Sequence, residues 1–288
     1  MNLRSNKIID IKKYITDKLM PYYDVNEINS FIFLIFEHLF SFSRVDLVLK
    51  SNENINESEL VKIFSIVKEL KKHKPIQYIL GKTNFMGYDF SVTPDVLIPR
   101  PETEELVNLI INDNNENDKL NIIDIGTGSG CIAVSLKKIL FNSEVFAVDV
   151  SEKALEIAKK NALKNNADIS FSKLNILNKD YNADFPMFDI IVSNPPYVRK
   201  SEKQMMNKNV LNYEPSEALF VDDDNALVFY KAIFDFASKY LKKNGKIWLE
   251  ANEYLTNDLK EFFNNKGLKN IKVIKDVNNK NRFFKINF

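Results

Sequence analysis

The 288-residue sequence has one cysteine, Cys131, and two histidines, His38 and His73. A single thiol cannot close an intramolecular disulfide, which fits a reducing compartment. Zinc sites of the usual Cys/His kind are excluded by count, and no metal site is expected. Neither histidine sits in a catalytic setting, so a Ser-His-Asp triad is not expected either. Long apolar runs are also missing. The longest, around FIFLIF at Phe31 to Phe36, is far too short to span a bilayer. The N-terminal MNLRSNKIIDIKKYI has neither the apolar core nor the small-residue cleavage site of a secretory signal. The expectation is a soluble, cytoplasmic protein with no membrane partner. An excess of one charge is lacking too: 40 basic residues face 39 acidic ones, for a net charge of +1. No global field draws the chain to nucleic acid, although a local basic patch remains possible. Neither an internal repeat nor a low-complexity segment is present.

What is present is ordinary globular material, 45% hydrophobic and 27% charged, enough for one large domain or two modest ones. Residues 1–82 read as helical. Ile8, Ile11, Ile15 and Leu19 recur at helical spacing, as do Ile28, Phe31, Ile32, Ile35 and Leu39. Asn56 with Glu59 three residues on reads as a capping-box start, followed by the apolar face Leu60, Ile63, Phe64, Val67, Leu70. The basic run Lys71 to Lys74 suits the carbonyl end of that helix, ahead of Pro75. Residues 83–98 alternate like a β-hairpin linker. From residue 99 an acidic helix start, RPETEEL, leads into alternating strands and helices. NIIDIG, EVFAVDV, ISFSKL, FDIIVS, KIWLE, IKVIKDV and RFFKINF give seven strands, with helices at Asn225 to Leu241 and Leu255 to Phe263 among those between them. Alternating βα units imply a doubly wound, mostly parallel α/β sheet covered on both faces. The last two strands form a closing pair.

Two segments carry chemistry. DIGTGSG, Asp124 to Gly130, follows a strand and opens a helix, and glycines at 126, 128 and 130 let a ligand approach the backbone closely. A dinucleotide fingerprint wants glycine or alanine at position 131, where this chain has Cys131. The G-x-G-x-G spacing is more typical of S-adenosyl-L-methionine (SAM) sites. Asp149 ends the next strand and is placed to accept hydrogen bonds from ribose hydroxyls. Cys131, without a base partner, reads as a small packing residue rather than a nucleophile.

The second segment is Asn194, Pro195, Pro196 and Tyr197, directly after FDIIVS. In open parallel sheets, ligands sit beyond the carboxyl ends of strands at the switch point, which makes Asn194 and the glycine loop neighbours. A planar –NH2 group conjugated to a carbonyl or ring is a poor nucleophile. Asn194 offers a side-chain oxygen to one N–H, and the proline restrictions fix a backbone carbonyl for the second. Two acceptors stabilise the nitrogen as it becomes tetrahedral and partly positive. Tyr197 can stack on the flat amide or ring.

These residues resemble the HemK/PrmC family. The matching stretches are Pro75 to Val107 (PIQYILGKTNFMGYDFSV with LIPRPETEELV), Ile122 to Leu136, Ile190 to Val198, and Tyr213 to Leu219 (YEPSEAL). The resemblance implies a Rossmann-like SAM-dependent methyltransferase domain over 99–288, with 1–82 as the helical substrate-recognition domain. It implies methylation of the side-chain N5 of the glutamine in a Gly-Gly-Gln sequence of class I peptide chain release factors. Gly126, Thr127, Gly128, Ser129, Gly130 and Asp149 would hold SAM, with Asn175 or Ile176 flanking the adenine. Asn194 would contact both cofactor and amide, and Pro195, Pro196 and Tyr197 would complete the substrate pocket. Arg100, Glu102 and Glu104 match the family loop and read as capping and pairing residues in preference to the alternative, a lining of the SAM entrance. Asn252, and the pair Asn278 and Asn279, depart from the family pattern, at places expected to lie away from the methyl-transfer centre. The alternative is an adenine-N6 or other nucleic-acid amino methyltransferase, since Asn-Pro-Pro-Tyr is shared with such enzymes. That alternative calls for a basic target-recognition region, which a near-neutral chain with a small helical N-domain does not offer.

Overall fold

The structure is a computed structural model that describes residues 4–178, 181 and 184–288. It divides into two compact units, one of Met1–Gly81 with Asn207–Tyr213, the other of Lys82–Met206 with Glu214–Phe288.

The first unit is helical. Helices α1 (Ile8–Leu19), α2 (Val25–Phe40), α3 (Asp46–Leu49), α4 (Glu57–Leu70) and α5 (Ile76–Leu80) bury Ile11, Ile15, Leu19, Ile28, Ile35, Ile63 and Leu70 in one core. Asp24 caps α2 by accepting from the Asn26 and Glu27 amides, and Asn56 caps α4 by accepting from the Glu59 amide at 2.8 Å. Each cap satisfies N–H groups that the first helical turn leaves without a partner. Past α4 the chain turns through His73 in the left-handed region (φ 62°). The Tyr213 hydroxyl, from the second segment of this unit, donates to the Lys72 carbonyl at 2.9 Å. No helix among the described residues is long and apolar enough to cross a membrane.

The second unit opens with the antiparallel hairpin β1 (Lys82–Phe85) and β2 (Tyr88–Ser91), then α6 (Pro101–Asn112). Next come β3 (Asn121–Ile125), α7 (Cys131–Ile139), β4 (Glu144–Asp149), α8 (Glu152–Lys164), β5 (Ser170–Lys173) and β6 (Phe188–Ser193). The two-residue strands β7 (Val198–Arg199) and β8 (Phe220–Val221) pair in parallel, with α9 (Lys208–Tyr213, of the first unit) between them in the chain. They are too short to leave a periodic signal, and sequence reading did not anticipate them. The chain closes with α10 (Val228–Tyr240), β9 (Leu241–Glu250), α11 (Thr256–Asn265), β10 (Ile271–Lys275) and β11 (Asn281–Asn287).

Seven strands form one sheet in the order β10-β11-β9-β6-β3-β4-β5. β3, β4, β5, β6 and β9 run parallel, as the doubly wound reading requires, and β11 is antiparallel to both of its neighbours, with β10 and β11 forming the closing pair. Strand side chains alternate between faces. Ile123, Ile191, Ile247 and Leu249 face Tyr230, Ile233, Phe236, Leu259 and Phe263 of α10 and α11. Ile122, Ile190, Val192 and Trp248 face Leu106, Val107, Ile110, Ile132 and Leu136 of α6 and α7. Chain order reverses between β3 and β6, which makes the carboxyl ends of these two strands the switch point. In the β3–β6 ladder Asp124 pairs with Val192, so Gly126 and Asn194 each stand two residues past the same rung.

Candidate functional site

The glycine loop leaves β3 and is tied to β4, where the Gly126 and Thr127 amides donate to the Val148 carbonyl at 2.9 and 3.0 Å. Gly130 sits at the start of α7 with φ +82°. A Cβ there would stand 3.1 Å from the Cβ of Ala158, so glycine lets α7 and α8 approach closely. On Gly126 and Gly128 a Cβ would meet nothing within 4 Å, which leaves those faces of the loop open to a ligand. Thr127 and Ser129 are buried. The Thr127 hydroxyl donates inward to Asp124 Oδ2 at 2.7 Å, and its carbonyl accepts from the Gly130 amide at 2.8 Å, so the residue braces the loop from inside. Burial pushes the Asp124 carboxyl up to about 7, against the lowering effect of that hydroxyl. Asn161 of α8 donates to the Ser129 carbonyl at 2.8 Å and exchanges bonds with both Ser91 backbone groups, so α8 fixes loop and hairpin together.

Asp149, at the carboxyl end of β4, accepts from the Gly128 amide through Oδ2 and from the Ser151 amide through Oδ1, both at 2.9 Å. Burial raises its pKa and these amides oppose the rise. Each oxygen keeps a further lone pair for a hydroxyl. The Leu174 amide donates to the Asp149 carbonyl at 2.9 Å, which brings the segment after β5 beside the acid. Asn175 is exposed there, its Oδ1 accepting from the Leu177 amide at 3.0 Å. Ile176 is 8% exposed and belongs to the core under β3 and β4.

Asn194 follows β6, whose last residue, Ser193, donates its hydroxyl to the Ile125 carbonyl at 2.7 Å and ties the ends of β6 and β3 together. The Asn194 amide nitrogen donates to Thr103 Oγ1 at 3.0 Å, and the Thr103 hydroxyl donates to Glu250 Oε2 at 2.8 Å. Glu250 ends β9, beside β6, and its Oε1 accepts from the Tyr197 hydroxyl at 3.0 Å. A hydroxyl that gives its one proton to a carboxylate can only accept from Asn194, which fixes the Asn194 amide with Oδ1 as its outward group. Glu250 is 1% exposed, and burial raises its pKa against the pull of the Thr103 and Tyr197 hydroxyls. Burial, followed by the neighbouring Glu250 charge, holds the Tyr197 phenol well above its ordinary value. Pro195 is buried, and Pro196 and Tyr197 are half-buried.

Thr103 and Glu250 were missed by sequence reading. Thr103 lies inside PETE, between the residues singled out, and Glu250, like Asp149, is an acid closing an apolar strand. That shared pattern was the available signal. Arg100 is a pairing residue: its guanidinium holds both oxygens of buried Glu214, at 2.7 and 2.8 Å, linking the PRPETE and YEPSEAL stretches. Glu104 accepts from the Met86 amide at 2.6 Å and fixes the hairpin turn. Burial pushes the Cys131 thiol up to about 12, which leaves it unreactive.

Asn252 is not remote from the motif, contrary to the expectation from sequence. Its Nδ2 lies 3.3 Å from the Tyr197 carbonyl and 3.2 and 3.1 Å from the Glu202 carboxylate oxygens, and its Oδ1 accepts from the Tyr254 amide. The carboxyl ends of β6 and β9 are neighbours in the sheet, although 55 residues separate the pair in sequence. Asn279 takes a left-handed turn (φ 61°), a conformation asparagine tolerates where glycine is otherwise used. Asp276 Oδ1 secures that turn by accepting from the Asn278 and Lys280 amides.

The PrmC N-terminal domain family matches residues 24–81 and the Methyltransferase small domain family residues 103–222. A release factor glutamine methyltransferase of Flavobacterium psychrophilum is 47% identical, over 96% of this chain and 99% of that protein. One from Bacteroides thetaiotaomicron is 38% identical, over 96% and 99%. A solved methyltransferase from Pyrococcus furiosus, 22% identical, has the same fold with a TM-score of 0.51, covering 81% of this chain and 98% of that one. With identity of this extent along nearly its full length, and with the glycine loop and Asn-Pro-Pro-Tyr segment meeting at one switch point, the chain belongs to the HemK/PrmC family of release factor glutamine methyltransferases.

Proposed function

We propose that this protein transfers the methyl group of SAM to the side-chain N5 of the glutamine in the Gly-Gly-Gln sequence of class I peptide chain release factors. The observation that carries the chemistry is the orientation of Asn194: its amide nitrogen is held by Thr103, and its oxygen is left as an acceptor beside the glycine loop. The loop and Asp149 suit SAM. Gly126 and Gly128 present open backbone, and a carboxylate with spare lone pairs adjoins it, as a ribose diol requires. When bound, SAM supplies a methyl group made electrophilic by its sulfonium. Asn175 is placed to flank the adenine, and Ile176 supports that wall from the core.

Asn194 Oδ1 accepts one N–H of the glutamine amide and the Pro195 carbonyl accepts the other. Held this way, the nitrogen lone pair turns out of the amide plane. As the new N–C bond forms, the methyl–sulfur bond breaks with its electron pair left on sulfur, and positive charge grows on nitrogen. Both acceptors bind that charge more strongly than the neutral amide, which lowers the barrier rather than merely tightening binding. The nitrogen then gives up one proton to water. Pro196 and the Tyr197 ring, anchored through its hydroxyl, form the wall on which the flat amide lies. The helical first unit is the part that engages the release factor body.

The test offers labelled SAM to the protein with a purified release factor and, separately, with DNA and RNA, and maps the product by mass spectrometry. Label is expected on the Gly-Gly-Gln glutamine, and a release factor with alanine in its place stays unlabelled. Label on nucleic acid alone would move the activity to the amino-base methyltransferases. Asp149→Ala is expected to weaken SAM binding by roughly 10²-fold, through loss of charge-assisted ribose contacts and of the acceptor for two loop amides. Equal affinities by calorimetry would show that Asp149 does not hold the ribose.

A further inference from the structure

We infer that Glu250 and Thr103 are positioning residues that set the direction of the hydrogen-bond chain ending at Asn194, so that transfer requires an ionised Glu250. This rests on the amide-clamp reading of Asn194. Five atoms carry it: Asn194 Nδ2 to Thr103 Oγ1, 3.0 Å; Thr103 Oγ1 to Glu250 Oε2, 2.8 Å; and Tyr197 hydroxyl to Glu250 Oε1, 3.0 Å. Thr103 and Glu250 are 3% and 1% exposed, so water does not offer these groups alternative partners.

Asparagine has two faces of opposite polarity, and an N–H2 acceptor substrate needs the oxygen face. Nothing intrinsic to Asn194 selects it. The selection comes from the far end of the chain. An ionised carboxylate only accepts. Thr103 must then spend its single proton on Glu250 and can offer Asn194 only a lone pair, which takes the Nδ2 side and turns Oδ1 to the substrate. A proton on Glu250 Oε2 reverses every link. The carboxyl donates to Thr103, Thr103 donates to Asn194, and the amide flips to accept. Asn194 then presents N–H groups to the N–H groups of the substrate, a mismatch that blocks binding of the reacting nitrogen.

The surroundings of Glu250 bear on that proton from every side. Arg282 of β11 favours the charged form, and Glu102 of α6 opposes it. Tyr197 donates to its carboxylate, and Tyr230 of α10 donates to its backbone carbonyl at 3.1 Å. Arg282 is itself held by Asp276 and by the Ala251 carbonyl, at 3.3 and 3.0 Å, so its charge stays fixed near the site. Glu250 is thus a buried acid with two hydroxyl donors and one nearby cation, an arrangement that a purely space-filling strand end does not need.

Three variants test the chain of contacts, with kcat, KM and pH profile measured on the release factor and SAM affinity measured by calorimetry. Thr103→Val keeps the shape and removes both bonds; kcat is expected to fall about 10²-fold, the scale for losing one preorganised polar group at a reacting centre. SAM affinity should change little, and Thr103→Ser should restore most of the rate. Glu250→Gln should place its amide nitrogen toward Thr103, because the opposite orientation leaves the buried Tyr197 proton without an acceptor. The rate should fall by a similar factor, and the acid limb of the wild-type kcat profile, where activity declines as Glu250 takes up its proton, should vanish. Rates for Thr103→Val and Glu250→Gln within about threefold of wild type would overturn the inference. So would Thr103→Ser as slow as Thr103→Val, or an unchanged acid limb in Glu250→Gln. If Glu250→Gln fails to fold, the Thr103 pair decides alone. A wild type that methylates only nucleic acid overturns the release-factor reading and leaves this one open to the same comparison on that acceptor, because an exocyclic amino group makes the same demand on Asn194. A wild type that methylates neither overturns both.

Discussion

Asn194→Ala is expected to lower kcat by about 10³-fold or more, while the SAM dissociation constant moves by less than about fivefold. On the proposed mechanism, alanine removes the oxygen that accepts the first substrate N–H, and with it the stabilisation of charge growing on nitrogen. It touches neither the loop backbone at Gly126 to Gly130 nor Asp149, and Asp149 carries the two loop-amide bonds independently of it. Thr103 loses one donor but keeps Glu250. The loss should therefore appear in kcat with the fold intact, measured by single-turnover transfer from labelled SAM. Turnover within about tenfold of wild type would sink the clamp account, since a water filling the gap would then serve as well as the side chain.

The two ends of the glycine loop should respond in opposite ways to an added methyl group. Gly130→Ala meets Ala158 at 3.1 Å while sitting at φ +82°, so strain and overpacking act together, about 3 kcal/mol in all, a fall in melting temperature of roughly 5–10 °C. Gly126→Ala has the same backbone strain at φ +76° but nothing within 4 Å to collide with, so it should melt closer to wild type. Its methyl group projects where the ligand backbone approach is needed, and SAM affinity is where its effect should appear. Thermal melts and calorimetry on both variants separate the two. Equal melting temperatures would show that α8 yields at Ala158, and equal SAM affinity of Gly126→Ala and wild type would place the ligand elsewhere along the loop.

The sequence made the local half of this structure readable. The glycine loop, Asp149 and Asn194 each sit at the end of an apolar strand, where periodicity and turn residues mark the place within a few positions. The parallel sheet followed from βα alternation, and the rule that ligands sit at the switch point of such sheets brought the loop and Asn194 together; the strand order itself did not. What stayed hidden was non-local. Thr103 reaches Asn194 across 91 residues and Glu250 across 147, and no spacing in the chain announces such pairs. Asn252 looked peripheral for the same reason: its place late in the chain is also a place beside β6 in the sheet. The two-residue strands β7 and β8 are set by pairing with each other rather than by any pattern of their own. The start of β9 at Leu241, five residues ahead of KIWLE, escapes notice because Lys242, Lys243 and Asn244 break the apolar run that marks its buried end.

The shared rung of β3 and β6 has a consequence for how this site keeps its dimensions. Gly126 and Asn194 are each two residues past the Asp124–Val192 pair, so on the proposed mechanism the gap between methyl donor and acceptor is gauged by the hydrogen-bond ladder itself. Flexible loops set the spacing in many sites; here the ruler is the central ladder of the sheet, clamped once more by Ser193 on Ile125. A slip of one rung displaces a strand by about 3.3 Å and turns its side chains to the opposite face, so no slightly misassembled sheet can retain a slightly impaired site. The segment after the motif is tied to the same frame, through Glu202 on Asn252 and Glu214 on Arg100.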